Sequence, residues 1–422
     1  MRTTSNASGP LLNMDITHSS PPAWSQLLDQ AIDRRFPAMV ELRRHLHQHP
    51  ELSGHEQQTS LHLYQKLGDD GFDVRLGPEG RGVIADSVDA ARSTSGWLAL
   101  RADIDALRIH DRKETAYRSQ RPGVMHACGH DGHTALVWGA ITALSDLRRE
   151  GALPWETPVR GIFQPAEETC AGAREMIHVG ALQGVRAIMA VHMDPGRQVG
   201  RIGLRPGVLT ANCDEMKISI VGRGGHAARP HEASDPITAA AQLIQALYMH
   251  IPRSTDSQDA VVVTIGEIRG GDNANVIPEE VTLRGTIRTL DRTVRAQTRE
   301  HICRLGAGIG QTCDVKVSVD FGLGSGSVNN DPQLIHLFRR ASEDRLGAEA
   351  IDNIPRASMG SEDFAFYLDH VPGAMLRLGC ASETVGRSAL HTPTFDIDEE
   401  ALRIGAGVLA RSAIYWAQSQ LA

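Results

Sequence analysis

At 422 residues the chain is long enough for more than one unit of roughly 100–250 residues, each with its own core. A net charge of −8 and the lack of any Lys/Arg-rich block argue against nucleic acid as a partner. No stretch approaches the ~20 uninterrupted apolar residues that cross a bilayer, so no membrane partner is expected. The first twenty residues are polar and lack the apolar run of a secretory signal, and the 1–24 segment reads as a polar N-terminal extension. Six cysteines lie far apart without a paired pattern, which points to a reducing compartment, the cytoplasm by default.

In chain order, 37–48 reads as a helix that must stop before Pro50, because proline disfavours helical geometry in the residue before it. Three apolar runs follow: Trp97–Leu100 leading into Arg101-Ala102-Asp103, Val159–Phe163 leading into Gln164-Pro165, and Ala187–Val191 leading into His192. Between the first two, Thr134–Leu147 reads as a helix after a turn at Gly132. Non-alternating strands that alternate with helices predict an α/β fold whose sheet is covered on both faces. The polar residues at the ends of these runs stand where open α/β sheets place ligands.

The middle of the chain changes character. Met216, Ile218 and Ile220 alternate with polar residues, as in a half-exposed strand. Asp235-Pro236 caps a helix running to about His250. Strands at 260–268 and 281–288, a helix at 292–305 and an alternating strand from Val315 to Phe321 complete a split βαβ order. Gly322–Ser327 reads as a flexible return linker. Helices at 332–346 and from Glu399, with a strand at 374–378, then resume the first pattern. The expected organisation is a discontinuous domain with a central mixed sheet, 25–208 and 327–422, and an inserted ferredoxin-like domain at 209–326.

Met125–Thr134 holds three histidines, a cysteine and an aspartate. In an extended segment Cys128 and His130 point the same way. A thiolate and an imidazole aimed at one point suit zinc or another late first-row divalent metal; the rival reading is a glycine-rich turn with a buried cysteine. His126 and His133 read as supporting residues. Glu167 and Glu168 would face opposite sides of an extended chain, so one can bind metal while the other moves a proton from water to a leaving amine. Two solvated glutamates opening a loop are the alternative. His192 and His391 are each, taken alone, more often structural than ligating. Asp103 and Asp105 follow a strand, where an aspartate can orient a ligand histidine.

The chain resembles the metal-dependent amidohydrolases that include aminoacylases, hippurate hydrolases and indole-acetyl-amino-acid hydrolases, within the dinuclear metallopeptidases. The resemblance runs from about Val40 to the C-terminus. It is carried by Arg44–Leu52, Arg101–Asp105, Met125–Thr134, Phe163–Glu168, Gly224–Ala228, Ala274–Pro278, Met359–Phe364 and Leu390-His391. It implies two divalent ions (zinc, manganese or cobalt) held by Cys128, as the bridging ligand, with His130, Glu168, His192 and His391. It implies attack by a metal-bound hydroxide with Glu167 as general base and acid, and Asp103 in the outer shell. His226 would stabilise the oxyanion from the inserted domain, often across a dimer, and Asn275 and Arg288 would hold the substrate. The resemblance implies an enzyme that hydrolyses N-acyl amino acids, working as a homodimer or higher homo-oligomer through the inserted domain. Dipeptidase or carboxypeptidase-like activity on the same site is the alternative, and a non-catalytic metal-binding homologue the lesser one. The chain departs from the pattern at Leu107-Arg108-Ile109, in the basic segment through Arg121, and at Thr169-Cys170-Ala171. These stretches bear on substrate choice more than on the reaction.

Overall fold

The computed structural model describes residues 23–87 and 96–421. Of the expected 1–24 extension, residues 1–22 lie outside the described residues, while Ala23 and Trp24 open the first helix. The elements needed to place the site are, in chain order, α1 (Ala23–Gln48), α2 (Gln57–Asp69), β1 (Asp73–Leu76), β2 (Val83–Asp86), β3 (Trp97–Asp103), α3 (His130–Arg149), β4 (Val159–Gln164), α4 (Gly172–His178), β5 (Val185–Gln198) and β6 (Ile202–Leu204). Then come β7 (Asn212–Val221), α5 (Pro236–Ser254), β8 (Val261–Arg269), β9 (Glu280–Thr289), α6 (Arg292–Cys313) and β10 (Lys316–Ser325). The chain ends with α7 (Pro332–Leu346), β11 (Ile351–Asn353), α8 (Ala365–Leu368), β12 (Gly373–Ala381) and α9 (Glu400–Ser419).

Eight strands form one mixed sheet in the order β1-β2-β4-β3-β5-β12-β6-β11. The central pairings β3–β4, β3–β5 and β5–β12 are parallel, whereas β1–β2, β2–β4 and β12–β6 are antiparallel. Side chains in a strand alternate between faces, and here both faces are apolar. Leu98, Leu100, Met189, Val191, Leu376 and Leu378 share one core with α1, α3, α7 and α9. Ala99, Ile188, Ala190 and Met375 share another with α4 and α8. This accounts for the continuous apolar runs: a strand covered on both sides has no solvent face to make polar.

A second, four-stranded sheet has the order β8-β9-β7-β10 with every pairing antiparallel. Met216, Ile218 and Ile220 of β7 turn inward against Leu243 and Leu247 of α5 and Ile302 of α6. The alternation read in this strand is therefore one face against helices and one toward solvent. Gly322–Ser325 is not a linker but the end of β10, with Gly324 opposite Asp214 and Ser325 opposite Cys213. Gly322 falls at an irregularity between the paired Phe321 and Gly324, and the ladder resumes at Gly324, which composition does not reveal.

Three other local expectations change. The first helix begins at Ala23 and carries Pro37 inside it. β5 runs on through His192 to Gln198. α3 begins at His130, with the left-handed turn at Gly129 (φ 89°) instead of Gly132. Gly132 lies within the helix, where a Cβ would come within 2.8 Å of Ile397 Cδ1. Among the described residues no helix is long and apolar enough to cross a membrane.

Candidate metal centre and active site

The bend before α3 and the carboxyl ends of β3 and β4 bring the candidate residues together. Gly129 turns the chain so that His130 opens α3 beside Cys128. The two side chains converge through this bend, not through the alternation of an extended segment. One ring nitrogen of His130, Nδ1, lies 3.0 Å from Asp105 Oδ1, which fixes Nε2 as the free nitrogen. Nε2 is buried and has no hydrogen-bond partner. It lies 3.9 Å from Glu168 Oε1 and 4.0 Å from Glu167 Oε2. Ligand atoms of Cys128, His130 and Glu168 all fall within 4.8 Å of one another.

The histidines complete the wall. His192 donates from Nδ1 to the Met193 carbonyl at 2.8 Å, leaving Nε2 3.7 Å from Cys128 Sγ. Burial holds His192 well below the usual histidine range, so its imidazole is neutral and its Nε2 lone pair available. His391 takes a positive φ of 61°, unusual for a residue with a Cβ, and its backbone N–H donates to the Ala127 carbonyl at 2.7 Å. That places its Nε2 3.3 Å from Glu168 Oε1. A thiolate, imidazoles and a carboxylate around a buried, unpartnered nitrogen form a donor set that fits a late first-row divalent ion.

Glu167 and Glu168 stand in a turn, not in extended chain. Ala166 has φ 51°, and Cys170 N–H closes the turn on the Glu167 carbonyl at 2.8 Å. The turn, not extended-chain alternation, sets the two side chains, and both carboxylates approach His130 Nε2. Glu168 N–H donates to Asp105 Oδ2 at 3.1 Å, so Asp105 holds both Glu168 and His130. Asp103 instead lies 2.7 Å from His133 Nδ1, and the Nε2 of His133 accepts from Met193 N–H at 2.8 Å. Asp105, named in the sequence only as one of two options, is the aspartate bound to a candidate ligand. Asp103 Oδ2 also lies 3.8 Å from His130 Nε2, and its carboxylate groups with His130 and His133.

Sequence reasoning assigned no role to the acidic cluster behind Glu167. Glu167, Glu362 and Asp363 converge, all buried. Arg101, 1% exposed, donates to Gln164 Oε1 (2.9 Å), Asp103 Oδ2 (2.7 Å) and Asp363 Oδ1 (3.0 Å) and lies 3.1 Å from Glu362 Oε1. Burial, then Glu362, Asp363 and Glu168, push the Glu167 carboxyl well above the usual range. The adjacency of Glu362 and Asp363 within Met359–Phe364 was the available signal, but only folding places it against Glu167.

His226, Asn275 and Arg288 are not brought to this cavity. His226 pairs with Val276 in a short ladder, and Ala227 N–H donates to the Asn275 carbonyl at 3.0 Å, both residues being exposed. Arg288 donates to the Met359 carbonyl at 2.8 Å.

Glu56 supports the turn that carries Glu167 and Glu168: its Oε1 accepts from Ala166 N–H at 2.8 Å and from Gly54 N–H at 2.9 Å. Burial, reinforced by Asp105, pushes this carboxyl up to about 7. An acid that binds its proton more tightly when folded is most stabilising below its unfolded value, and that contribution is lost as pH rises toward the folded one. Between pH 4 and pH 8 the stability difference should therefore shift by about 2–4 kcal/mol in favour of Glu56→Gln. Denaturant titrations across that range check this; a pH-independent difference would refute it.

A family model for peptidase family M20/M25/M40 matches residues 99–414. The chain belongs to that family. It is 39% identical over 375 residues to an N-acetyl-L-cysteine deacetylase of Bacillus subtilis (strain 168), covering 89% of this chain and 87% of the relative. It is 34% identical over 384 residues to the IAA-amino acid hydrolase ILR1-like 2 of Arabidopsis thaliana, covering 90% and 85%. The crystal structure of the Bacillus subtilis YXEP protein, described as a dinuclear metal binding peptidase from the M20 family, superposes with a TM-score of 0.78 at 33% identity. That match covers 92% of this chain and 99% of that one. The M20 chain described here is a metal-dependent amidohydrolase.

Proposed function

We propose that this M20 amidohydrolase cleaves the amide bond of N-acyl amino acids, with two divalent ions of zinc, manganese or cobalt held by Cys128, His130, Glu168, His192 and His391. The observation that carries the reading is the convergence of Cys128, His130 and Glu168 on one point, with Glu167 alongside. Relatives named for deacetylation of N-acetyl-L-cysteine and for IAA-amino acid hydrolysis support the substrate class. Bound ions polarise a carbonyl and acidify water. Glu167 takes the proton of the attacking water and delivers it to the leaving nitrogen; its burial, and its crowding by Glu362, Asp363 and Glu168, favour holding that proton. Asp105 fixes the tautomer of His130, and Asp103 orients His133.

Residues 209–326 act as a lid and dimerisation domain on the catalytic domain of 25–208 and 327–422. His226 on this unit supplies a donor to the oxyanion, and Asn275 and Arg288 receive the substrate carboxylate. His226 is exposed and outside the wall of the metal cavity, which favours its action in a partner subunit.

The test is hydrolysis of N-acetyl and N-benzoyl amino acids against dipeptides, with zinc, manganese or cobalt added. Cleavage of dipeptides alone would overturn the reading. Mixing His226→Ala chains with Glu167→Gln chains should restore activity in heterodimers to about a quarter to a half of wild type, because one site then regains both residues. No recovery in verified heterodimers would place His226 in its own chain's site.

A further inference from the structure

Arg377 stands within β12, opposite His192 in the parallel register with β5. Register partners on adjacent strands turn their side chains to the same face. Both line the cavity that Cys128, Glu167, Glu168 and His391 also line. Arg377 is half-buried and, among the described residues, forms no hydrogen bond or ion pair. The groups whose charge reaches it are Glu362, Asp194, Cys128 and Glu167, and the first two are already committed to other partners. Glu362 lies 3.1 Å from Arg101 and accepts from Phe364 N–H at 3.2 Å. Asp194 pairs with Arg197 at 2.9 Å and accepts from Gly196 N–H at 2.9 Å.

A partly desolvated guanidinium beside the His192 imidazole, with no carboxylate hydrogen-bonded to its fork, is incompletely compensated until an anion enters. Its planar fork matches a carboxylate in two parallel hydrogen bonds. The cavity wall also holds Arg356, exposed and likewise unpaired among the described residues. Nothing assigned to substrate binding on the 209–326 unit uses either arginine.

We propose that Arg377 receives a second carboxylate of the substrate, so that this enzyme favours doubly anionic N-acyl amino acids over singly charged ones. The inference rests on the N-acyl amino acid reading above. The second carboxylate can belong to the acyl group, as in a succinyl amide, or to the amino acid, as in glutamate.

The test measures kcat and KM for N-acetylalanine, N-succinylalanine and N-acetylglutamate on the metal-loaded full chain, its R377M variant and R377K. One dianionic substrate should be preferred over N-acetylalanine by about 10-fold or more in kcat/KM. R377M should raise KM for that substrate by about 10–100-fold, with little change in kcat and less than about 3-fold change for N-acetylalanine. Preference for N-succinylalanine places the carboxylate on the acyl half, and preference for N-acetylglutamate on the amino-acid half. R377K, which keeps the charge but loses the fork, should fall between and carries the test if R377M does not fold. Equal kcat/KM for all three substrates, or a uniform loss in the variants, would overturn the inference. If none of the three is cleaved, the N-acyl reading fails by itself. Calorimetric binding of succinate and glutamate to wild type and R377K then decides on Arg377, which is overturned if neither anion binds more weakly to the variant.

Discussion

Glu167→Gln should abolish turnover while leaving metal content unchanged, with kcat falling by about 10²–10⁴-fold or more. The substitution keeps shape and one acceptor oxygen but removes the ability to carry a proton. Its effect should be confined to chemistry because Cys128, His130 and Glu168 form a donor grouping that does not need the Glu167 carboxylate. Its carboxyl is buried against Glu362 and Asp363, so a neutral amide there also removes a crowded acid. The fold should therefore tolerate the change or gain from it. Elemental analysis and steady-state kinetics on the same preparation separate the two outcomes. Retained metal with near-wild-type kcat would refute the role of Glu167, and lost metal would recast it as a ligand.

Arg43→Met should destabilise the fold by about 3–5 kcal/mol, measured by denaturant unfolding at neutral pH. Arg43 is 1% exposed and joins three elements of the chain. Its Nε donates to Asp131 at 3.0 Å and Nη1 to Glu399 at 3.1 Å, and Nη2 pairs with Asp396. Methionine fills much of the volume but strands Asp131, which also lies 2.8 Å from His47 Nδ1. A buried acid that loses its cation keeps the desolvation cost without the compensating attraction. Arg34 is the internal control: its pair with Glu150 is about half exposed on both sides, and Arg34→Met should cost less than about 1 kcal/mol. Equal effects at the two positions would refute the assignment of Arg43 as a buried tie.

Periodicity was a sound guide wherever burial is simple. The both-faces-buried strands β3, β4 and β5 read as apolar runs because helices cover them on each side. The alternation in β7 was equally legible, because only one face of that sheet is packed. Glycine was the poorer guide. Gly322–Ser325 reads as a linker by composition, yet it ends β10, with Gly324 and Ser325 paired to β7. Gly132 reads as a turn, yet close packing against Ile397 and Met193 explains it within a helix.

The sequence by itself determined the reaction class of this protein, because residue chemistry is local: Cys128 beside His130, and Glu167 beside Glu168, can be seen without coordinates. Their geometry was another matter. Extended-chain alternation does not hold at either place. A left-handed Gly129 and a positive-φ Ala166 set the side-chain directions instead. Only the tertiary structure decided that Asp105 holds His130 and Glu168, that Glu362 and Asp363 stand behind Glu167, and that an unpaired Arg377 faces the same cavity. Such relations join residues as far apart as Cys128 and Arg377, and contacts of that kind carry no periodicity for a sequence to display.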